Sequence, residues 1–234
     1  MDKKKSYVIL GTAHLETTPG KCSPDKVFRE FRYSREIVER VRQNLVSLGY
    51  NVFVDYPGNT PNSLINGQPG KSGQDKELNF RKNFVNNICA KYGSSNCIYV
   101  SIHVNAAGGD GKWKSAGGWC IYSSPGKTKA DTLATCIFSA AEKNLTSYIS
   151  SFNTKKLKGL YDSKQRPLRS DYSDGDPDYE ARFYVLTRTK CPAVLTENLF
   201  QDNKADVEFL TSEEGKDAIA KLHVDGIVAY FKTI

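Results

Sequence analysis

Residues Cys97–His103 read CIYVSIH, a nearly continuous apolar run that ends in a histidine. A second run, Ala193–Glu197 (AVLTE), ends in a glutamate, and the run Tyr7–Gly11 (YVILG) is followed closely by His14. Runs of this length and composition predict strands buried on both faces, as in a parallel sheet covered by helices. These three segments predict both the sheet and its functional edge, because each is followed by or ends in a side chain with acid–base or metal-binding chemistry.

The remaining segments alternate between short apolar runs and longer amphipathic ones. Further strands are predicted at Asn51–Asp55, Trp119–Tyr122 and Phe183–Leu186, and helices at about Phe28–Leu48, Asp75–Tyr92, Thr128–Ile149 and Ser212–Phe231. This alternation predicts an α/β fold: a single three-layer domain with a mostly parallel, mixed central sheet of about six strands and helices on both faces.

Length and composition favour one domain. The chain has 234 residues, of which 39% are apolar and 25% charged, values typical of a globular domain. Two stretches, about 57–73 and 150–180, are rich in loop-forming residues, and loops of that length often form functional walls. Because no linker divides the sequence, residues 1–234 are expected to form one domain.

The charge balance permits several anionic partners without selecting one. The net charge is +7, but the longest basic run is Lys3–Lys5 and no nucleic-acid-binding motif is present, so we expect no nucleic-acid partner. Apolar stretches fall short of the roughly 18 residues that a membrane span needs. The apolar run after the first lysines is also shorter than the roughly 7–15 residues of a signal-peptide core, so no secretion signal is expected.

Polar side chains at the strand ends suggest a metal site. Ligand sites in parallel α/β sheets form outside the carboxyl ends of the strands, and two of the three histidines, His14 and His103, are predicted there. A catalytic zinc site needs a third protein ligand, and Glu30 lies on the apolar stripe at the start of the first predicted helix. Glu36 and Glu39 are expected to face solvent. The alternatives are histidines bonded to nearby backbone and a Glu30 that complements the helix dipole.

Glu197 has a separate predicted role. A carboxylate beside a zinc-activated water can accept its proton and later donate it to a leaving amine. The combination of two histidines and two glutamates therefore predicts a metallohydrolase that needs no nucleophilic serine or cysteine. His223 lies inside the last predicted helix among apolar residues, far from any strand end, and is interpreted as a packing or surface residue.

Three motifs follow one another in a recognisable order: GTAH at Gly11–His14, SIHVNA at Ser101–Ala106, and PAVLTENLFQDNKAD at 192–206. In this order they resemble the zinc-dependent N-acetylmuramoyl-L-alanine amidases of the amidase 3 family, which act in cell-wall remodelling and as phage endolysins. The resemblance covers essentially the whole chain. It implies one zinc ion per chain, held by His14, Glu30 and His103, with Glu197 as the catalytic carboxylate.

The resemblance also implies a substrate and a reaction. The substrate is peptidoglycan, and the bond is the amide between N-acetylmuramic acid and L-alanine, with metal-bound water as nucleophile and Glu197 as general base and acid. Asn105 and Arg81 are expected to contact the substrate. The sequence departs from the family in two places: Leu199 replaces a small residue two positions after the glutamate, and the family's Arg-Gly motif has only Arg166 and Arg169 as candidates.

Two other functions fit the same residues. A zinc peptidase could use them on the stem peptide, and a non-catalytic protein could bind the cell wall. For the amidase we expect a monomer that acts on the wall, in the periplasm or outside the cell. Without a recognisable signal, delivery is expected through phage-type release or from a precursor whose signal was removed.

Overall fold

The computed structural model describes residues 3–55 and 70–234. Its strands are β1 (Tyr7–Thr12), β2 (Asn51–Val54), β3 (Cys97–Asn105), β4 (Cys120–Ser123), β5 (Tyr179–Glu180) and β6 (Ala193–Phe200). They form one six-stranded sheet in the order β2-β1-β3-β6-β4-β5. Only the β4–β6 pair is antiparallel within this described sheet. The predicted mixed, mostly parallel sheet is confirmed.

Helices cover both faces of the sheet. They are α1 (Glu30–Ser47), α2 (Gly70–Tyr92), α3 (Lys129–Asn144), α4 (Thr146–Leu157), α5 (Tyr184–Arg188), α6 (Lys204–Thr211) and α7 (Glu213–Thr233). Short 3₁₀ turns occur at Lys3–Lys5 and Ser94–Asn96. None of the helices in the described ranges is both long and apolar enough to span a membrane.

Alternate residues of the central strands enter two different cores. Val8, Ile98 and Val100 belong to the larger core, which α1, α3 and α7 cover. Ile9 and Tyr99 belong to the smaller core, where α2 and α5 pack. Successive side chains of a strand point to opposite faces, so this division gives the predicted three layers.

Local signals set the helix ends. Gly49 ends α1 with a φ of 91°, a left-handed conformation that glycine adopts without a Cβ penalty. The hydroxyl of Ser212 accepts a hydrogen bond from the Gly215 amide at the start of α7, as a helix cap should. Both ends lie where the sequence predicted them.

One predicted strand is wrong. Phe183–Leu186 does not join the sheet, because residues Tyr184–Arg188 form the helix α5 and the sixth strand is the two-residue β5. Val185 and Leu186 are buried in the smaller core. A run of four apolar residues has no periodicity that separates a buried strand from a short helix, and here packing against α2 decides.

The loop and helix boundaries also need correction. The predicted helix Thr128–Ile149 divides at Leu145 into α3 and α4, and α4 continues to Leu157, inside the stretch expected to be a loop. Helix α2 begins at Gly70, so the predicted loop 57–73 is helical over its last residues, while 57–69 lies outside the described residues. Helix α6 was not predicted. The Asn203 side chain caps it by accepting from the Ala205 and Asp206 amides.

His223 is a packing residue, the first of the two roles that the sequence allowed it. Its ring is fully buried in α7, with Nδ1 2.7 Å from the Ile219 carbonyl oxygen and Nε2 2.9 Å from the Thr196 hydroxyl. The ring therefore ties α7 to β6. All six cysteines are free thiols, and four of them are buried.

Candidate metal centre

His14, Glu30 and His103 converge at the carboxyl edge of the sheet. Thr12 of β1 pairs with Ile102 of β3, so the two histidines emerge side by side, and α1 begins there with Glu30. His14 Nε2 lies 3.5 Å from Glu30 Oε2, and His103 Nδ1 lies 3.3 Å from Glu30 Oε1. Within the described ranges, this is the group of histidine, cysteine and acidic side chains whose geometry suits a metal ion.

The spacing and hydrogen bonding of this group fit a divalent metal. A tetrahedral ion with nitrogen and oxygen ligands at about 2.1 Å holds its ligand atoms roughly 3.4 Å apart. Glu30 Oε1 accepts a hydrogen bond from the Val104 amide at 3.0 Å, which fixes the carboxylate. Oε2 is buried and has no hydrogen-bond partner among the described residues. A buried carboxylate oxygen without a partner lowers the stability of the folded chain unless a cation binds it.

The protonation states also suit a metal ligand set. Burial lowers the pKa of His14 to about 3, so its ring is neutral at pH 7 and offers a lone pair. Burial alone would raise the pKa of Glu30, but His103 and His14 outweigh that effect and lower it. The carboxylate is therefore ionised, and the group has the charge that a divalent cation requires.

Ser34 joins the backbones that carry the two histidines. Its buried hydroxyl accepts from the Ala13 amide at 2.8 Å and donates to the Ile102 carbonyl at 2.6 Å. Each of those residues directly precedes a histidine. Ser34 also lies one turn after Glu30 on α1. The sequence does not identify this role, since nothing in the pattern reveals a partner on another strand.

Arg81 lies beneath the site and not at its surface. It is 3% exposed, and its guanidinium donates to Asp55 at 2.7 Å and to the Thr12 hydroxyl at 3.0 Å, and pairs with Glu77 at 2.9 Å. It also reaches the His14 carbonyl at 3.4 Å. A buried guanidinium held by two carboxylates is not available to substrate, so the predicted contact needs correction. Arg81 supports the backbone at His14.

Glu197 lies next to this group without belonging to it. It pairs with His103 across the β3–β6 ladder, so the two side chains share a face of the sheet. Its Oε2 is buried without a hydrogen-bond partner in the described part of the chain. Burial, followed by the Glu30 charge, raises the pKa of Glu197, while Lys21 and Arg169 act in the opposite direction. A carboxylate with a raised pKa is suited to accept a proton and hold it until it is returned.

Leu199 takes the backbone conformation that a glycine would adopt easily. Its φ is 63°, in the left-handed region, and its side chain is fully buried in the larger core. The family's small residue at this position fits that φ without strain. In this chain, burial of an apolar side chain offsets the conformational cost.

A cavity of about 230 Å³ opens at the same edge of the sheet. The loops that follow β1, β3 and β6 line it, including Lys26, Gly108 and Gln201. Asn105 ends β3 nearby, half-buried, with its side-chain oxygen accepting from the Ala106 amide at 2.8 Å. Its expected contact with substrate stays a prediction.

Comparison with known proteins places this chain in a family. The family model for N-acetylmuramoyl-L-alanine amidases matches residues 8–229. The amidase CwlM of Bacillus licheniformis is 29% identical over 160 residues, which are 68% of this chain and 48% of that protein. This chain thus spans about half the length of that curated relative.

Solved structures share the fold over the full length. The CwlD amidase of Clostridioides difficile, solved in complex with the GerS lipoprotein, matches with a TM-score of 0.71 at 21% identity, over 98% of this chain and 100% of that one. Ami1 of Mycobacterium smegmatis matches with a TM-score of 0.68 at 15% identity, over 100% of both chains. With the family model matching nearly the whole sequence, this chain belongs to the N-acetylmuramoyl-L-alanine amidase family.

Proposed function

We propose that this chain is a zinc-dependent amidase that hydrolyses the bond between N-acetylmuramic acid and L-alanine in peptidoglycan. The observation that carries the proposal is the group His14–Glu30–His103 with the unpartnered carboxylate of Glu197 beside it. Membership in the family supports the choice of bond. We further propose that residues 1–234 act as one catalytic domain on the cell wall.

The proposed ligand set has the composition of a catalytic zinc site. His14, Glu30 and His103 would supply three ligands, the number that catalytic zinc sites use. Zinc held there would supply a Lewis acid that polarises the scissile carbonyl and makes water more acidic.

Glu197 would transfer a proton from the attacking water to the leaving amine. Its position beside His103 lets its carboxylate accept a proton from the attacking water. The same group then donates that proton to the nitrogen of L-alanine, so the amine leaves in neutral form. A raised pKa suits both steps, because the group must hold the proton between them.

Metal analysis coupled to a peptidoglycan digest tests the proposal. We expect about one zinc per chain, loss of hydrolysis with a chelator, and recovery on adding zinc. Mass spectrometry should show free stem peptides that begin with L-alanine. Shortened stems still attached to glycan would instead identify a zinc peptidase, and an intact wall with bound protein would identify a non-catalytic binder.

A further inference from the structure

The half-buried guanidinium of Arg169 lies beyond Glu197 on the same face of the sheet, and its Nη1 is buried without a hydrogen-bond partner among the described residues. We propose that Arg169 binds a carboxylate of the peptide that leaves, and so selects acidic stem peptides. This inference rests on the amidase function proposed above. It concerns a residue of the long segment between α4 and β5, which the sequence named only as a candidate for the family's Arg-Gly motif.

Strand register places Arg169 in line with the catalytic groups. Cys120 of β4 pairs with Glu197 of β6, and Leu168 pairs with Trp119, the residue before Cys120. The Arg169 amide donates to the Trp119 carbonyl at 2.8 Å. Paired residues on neighbouring strands share a face, so the side chains of Glu197, Cys120 and Arg169 follow one another across the sheet.

The segment that carries Arg169 is held closely against β4. Gly118 has a φ of 104°, and a Cβ there would collide with the Arg166 carbonyl oxygen and press on the Arg169 side chain. Glycine at this position therefore lets the backbone around Arg169 approach β4.

Aromatic rings flank the guanidinium, and one of its donors, Nη1, has no described acceptor. Its carbon lies 5.3 Å from the Phe200 ring and 5.9 Å from the Tyr179 ring, within cation–π range. Nη1 is buried and has no hydrogen-bond partner among residues 3–55 and 70–234. A buried donor without an acceptor costs free energy, so its retention points to a ligand that supplies one.

The order of groups across the sheet assigns that ligand to the leaving peptide. From the metal group, the row passes first Glu197 and then Cys120 before it reaches Arg169. Glu197 must face the leaving nitrogen to protonate it, so groups farther along the row face the peptide and not the glycan. A guanidinium binds carboxylate with two parallel hydrogen bonds, a fit that neutral carbonyls or amides lack.

Kinetics with paired substrates test the inference. Soluble muramoyl peptides would be compared with the second residue's carboxyl group either free or amidated, using the zinc-loaded protein. For Arg169→Gln we expect KM to rise roughly 10- to 100-fold on the free-carboxyl substrate and much less on the amidated one. Because the Arg169 charge also acts on the pKa of Glu197, any change in kcat should be the same on both substrates. Arg166→Gln, an exposed arginine on the same segment, is the matched control and should behave as wild type.

The outcomes separate this inference from the proposed function. If wild type hydrolyses both substrates and Arg169→Gln matches it, or loses activity equally on both, the inference is overturned and the amidase function stands. Loss of thermal stability with equal kinetic loss would make Arg169 a structural support. If wild type releases no peptide from either substrate, the amidase function itself fails, and the inference fails with it.

Discussion

Two buried carboxylates close together in the sequence, Glu197 and Asp206, have opposite surroundings. Asp206, on α6, accepts hydrogen bonds from the hydroxyls of Tyr148 (2.8 Å) and Tyr161 (2.6 Å) and from the amides of Phe200 (3.0 Å) and Gly118 (3.4 Å). Glu197 keeps one oxygen buried with no partner among the described residues. The first carboxylate is saturated with donors, and the second is not.

The difference separates a structural group from a functional one. Folding tolerates a buried carboxylate when donors replace its lost water, as they do around Asp206. A buried carboxylate without hydrogen-bond donors lowers the stability of the fold. Its presence therefore indicates a role in the reaction with substrate. Glu197 is held in place by neighbouring strands on both sides, while Asp206 itself holds α6, β6 and the segment at Tyr161 together.

Glu197→Gln should give the largest effect. The amide keeps the shape of the side chain but cannot carry the proton, so we expect hydrolysis to fall about 10³-fold, equivalent to about 4 kcal/mol. Zinc content should stay at the wild-type value, and the melting temperature should not fall, because the change removes a buried charge and no described hydrogen bond to Oε2. A variant that retains more than a tenth of the activity would remove Glu197 from the proposed mechanism.

Asp206→Ala should act on stability. The change leaves two buried tyrosine hydroxyls and two amides without their acceptor, so we expect the free energy of unfolding to fall by about 3 kcal/mol. Urea denaturation measures it, with Asp206→Asn as the control that retains one acceptor oxygen and should lose less. A loss below about 1 kcal/mol would show that the four hydrogen bonds do not distinguish the two carboxylates.

His223 extends the comparison to a buried histidine with both nitrogens paired. Burial lowers its pKa to about 4, against about 6.5 in the unfolded chain. Between these values the unfolded state binds a proton that the folded state does not, so stability is lost as pH falls from 6.5 towards 4. Relative to His223→Gln, which cannot titrate, wild type should lose about 2–3 kcal/mol between pH 7 and pH 4.5.

Denaturation curves of both proteins at the two pH values measure this difference. The comparison with the variant cancels the other titrating groups, including Asp206, whose pKa burial raises to about 6. A gap between wild type and variant that does not change with pH would show that His223 is protonated, or exposed to water, in the folded state.

The sequence predicted the parts of this molecule that depend on local pattern. Apolar runs located β1, β3 and β6, and the position of polar residues at their ends identified His14, His103 and Glu197 before any contact was known. Glu30 followed from its face on the first helix. The structure brings these side chains together, because parallel neighbouring strands end at one edge of the sheet.

Features that depend on distant contacts could not be predicted in this way. The run FYVL has no period that separates α5 from a strand, and only packing against α2 decides it. The buried positions of Arg81 and Ser34 depend on partners 26 and 68 residues away, Asp55 and Ile102. The position of Arg169 depends on the β-bridge between Leu168 and Trp119, which no sequence pattern predicts.

Ser34→Ala tests whether a fully paired group can also serve the metal centre, and its expected effect is the smallest. Removing the hydroxyl leaves the Ala13 amide and the Ile102 carbonyl unpaired, so we expect a loss of about 1–2 kcal/mol in unfolding free energy. Because both residues adjoin a histidine ligand, zinc affinity should also fall roughly 10-fold.

Competition with a chromogenic chelator measures the affinity, and Ser47→Ala, at the exposed end of the same helix, is the control. If stability falls while zinc affinity holds, Ser34 resembles Asp206 in being purely structural. A coupled loss would instead show that paired groups of the core set the ligand geometry on which Glu197 depends.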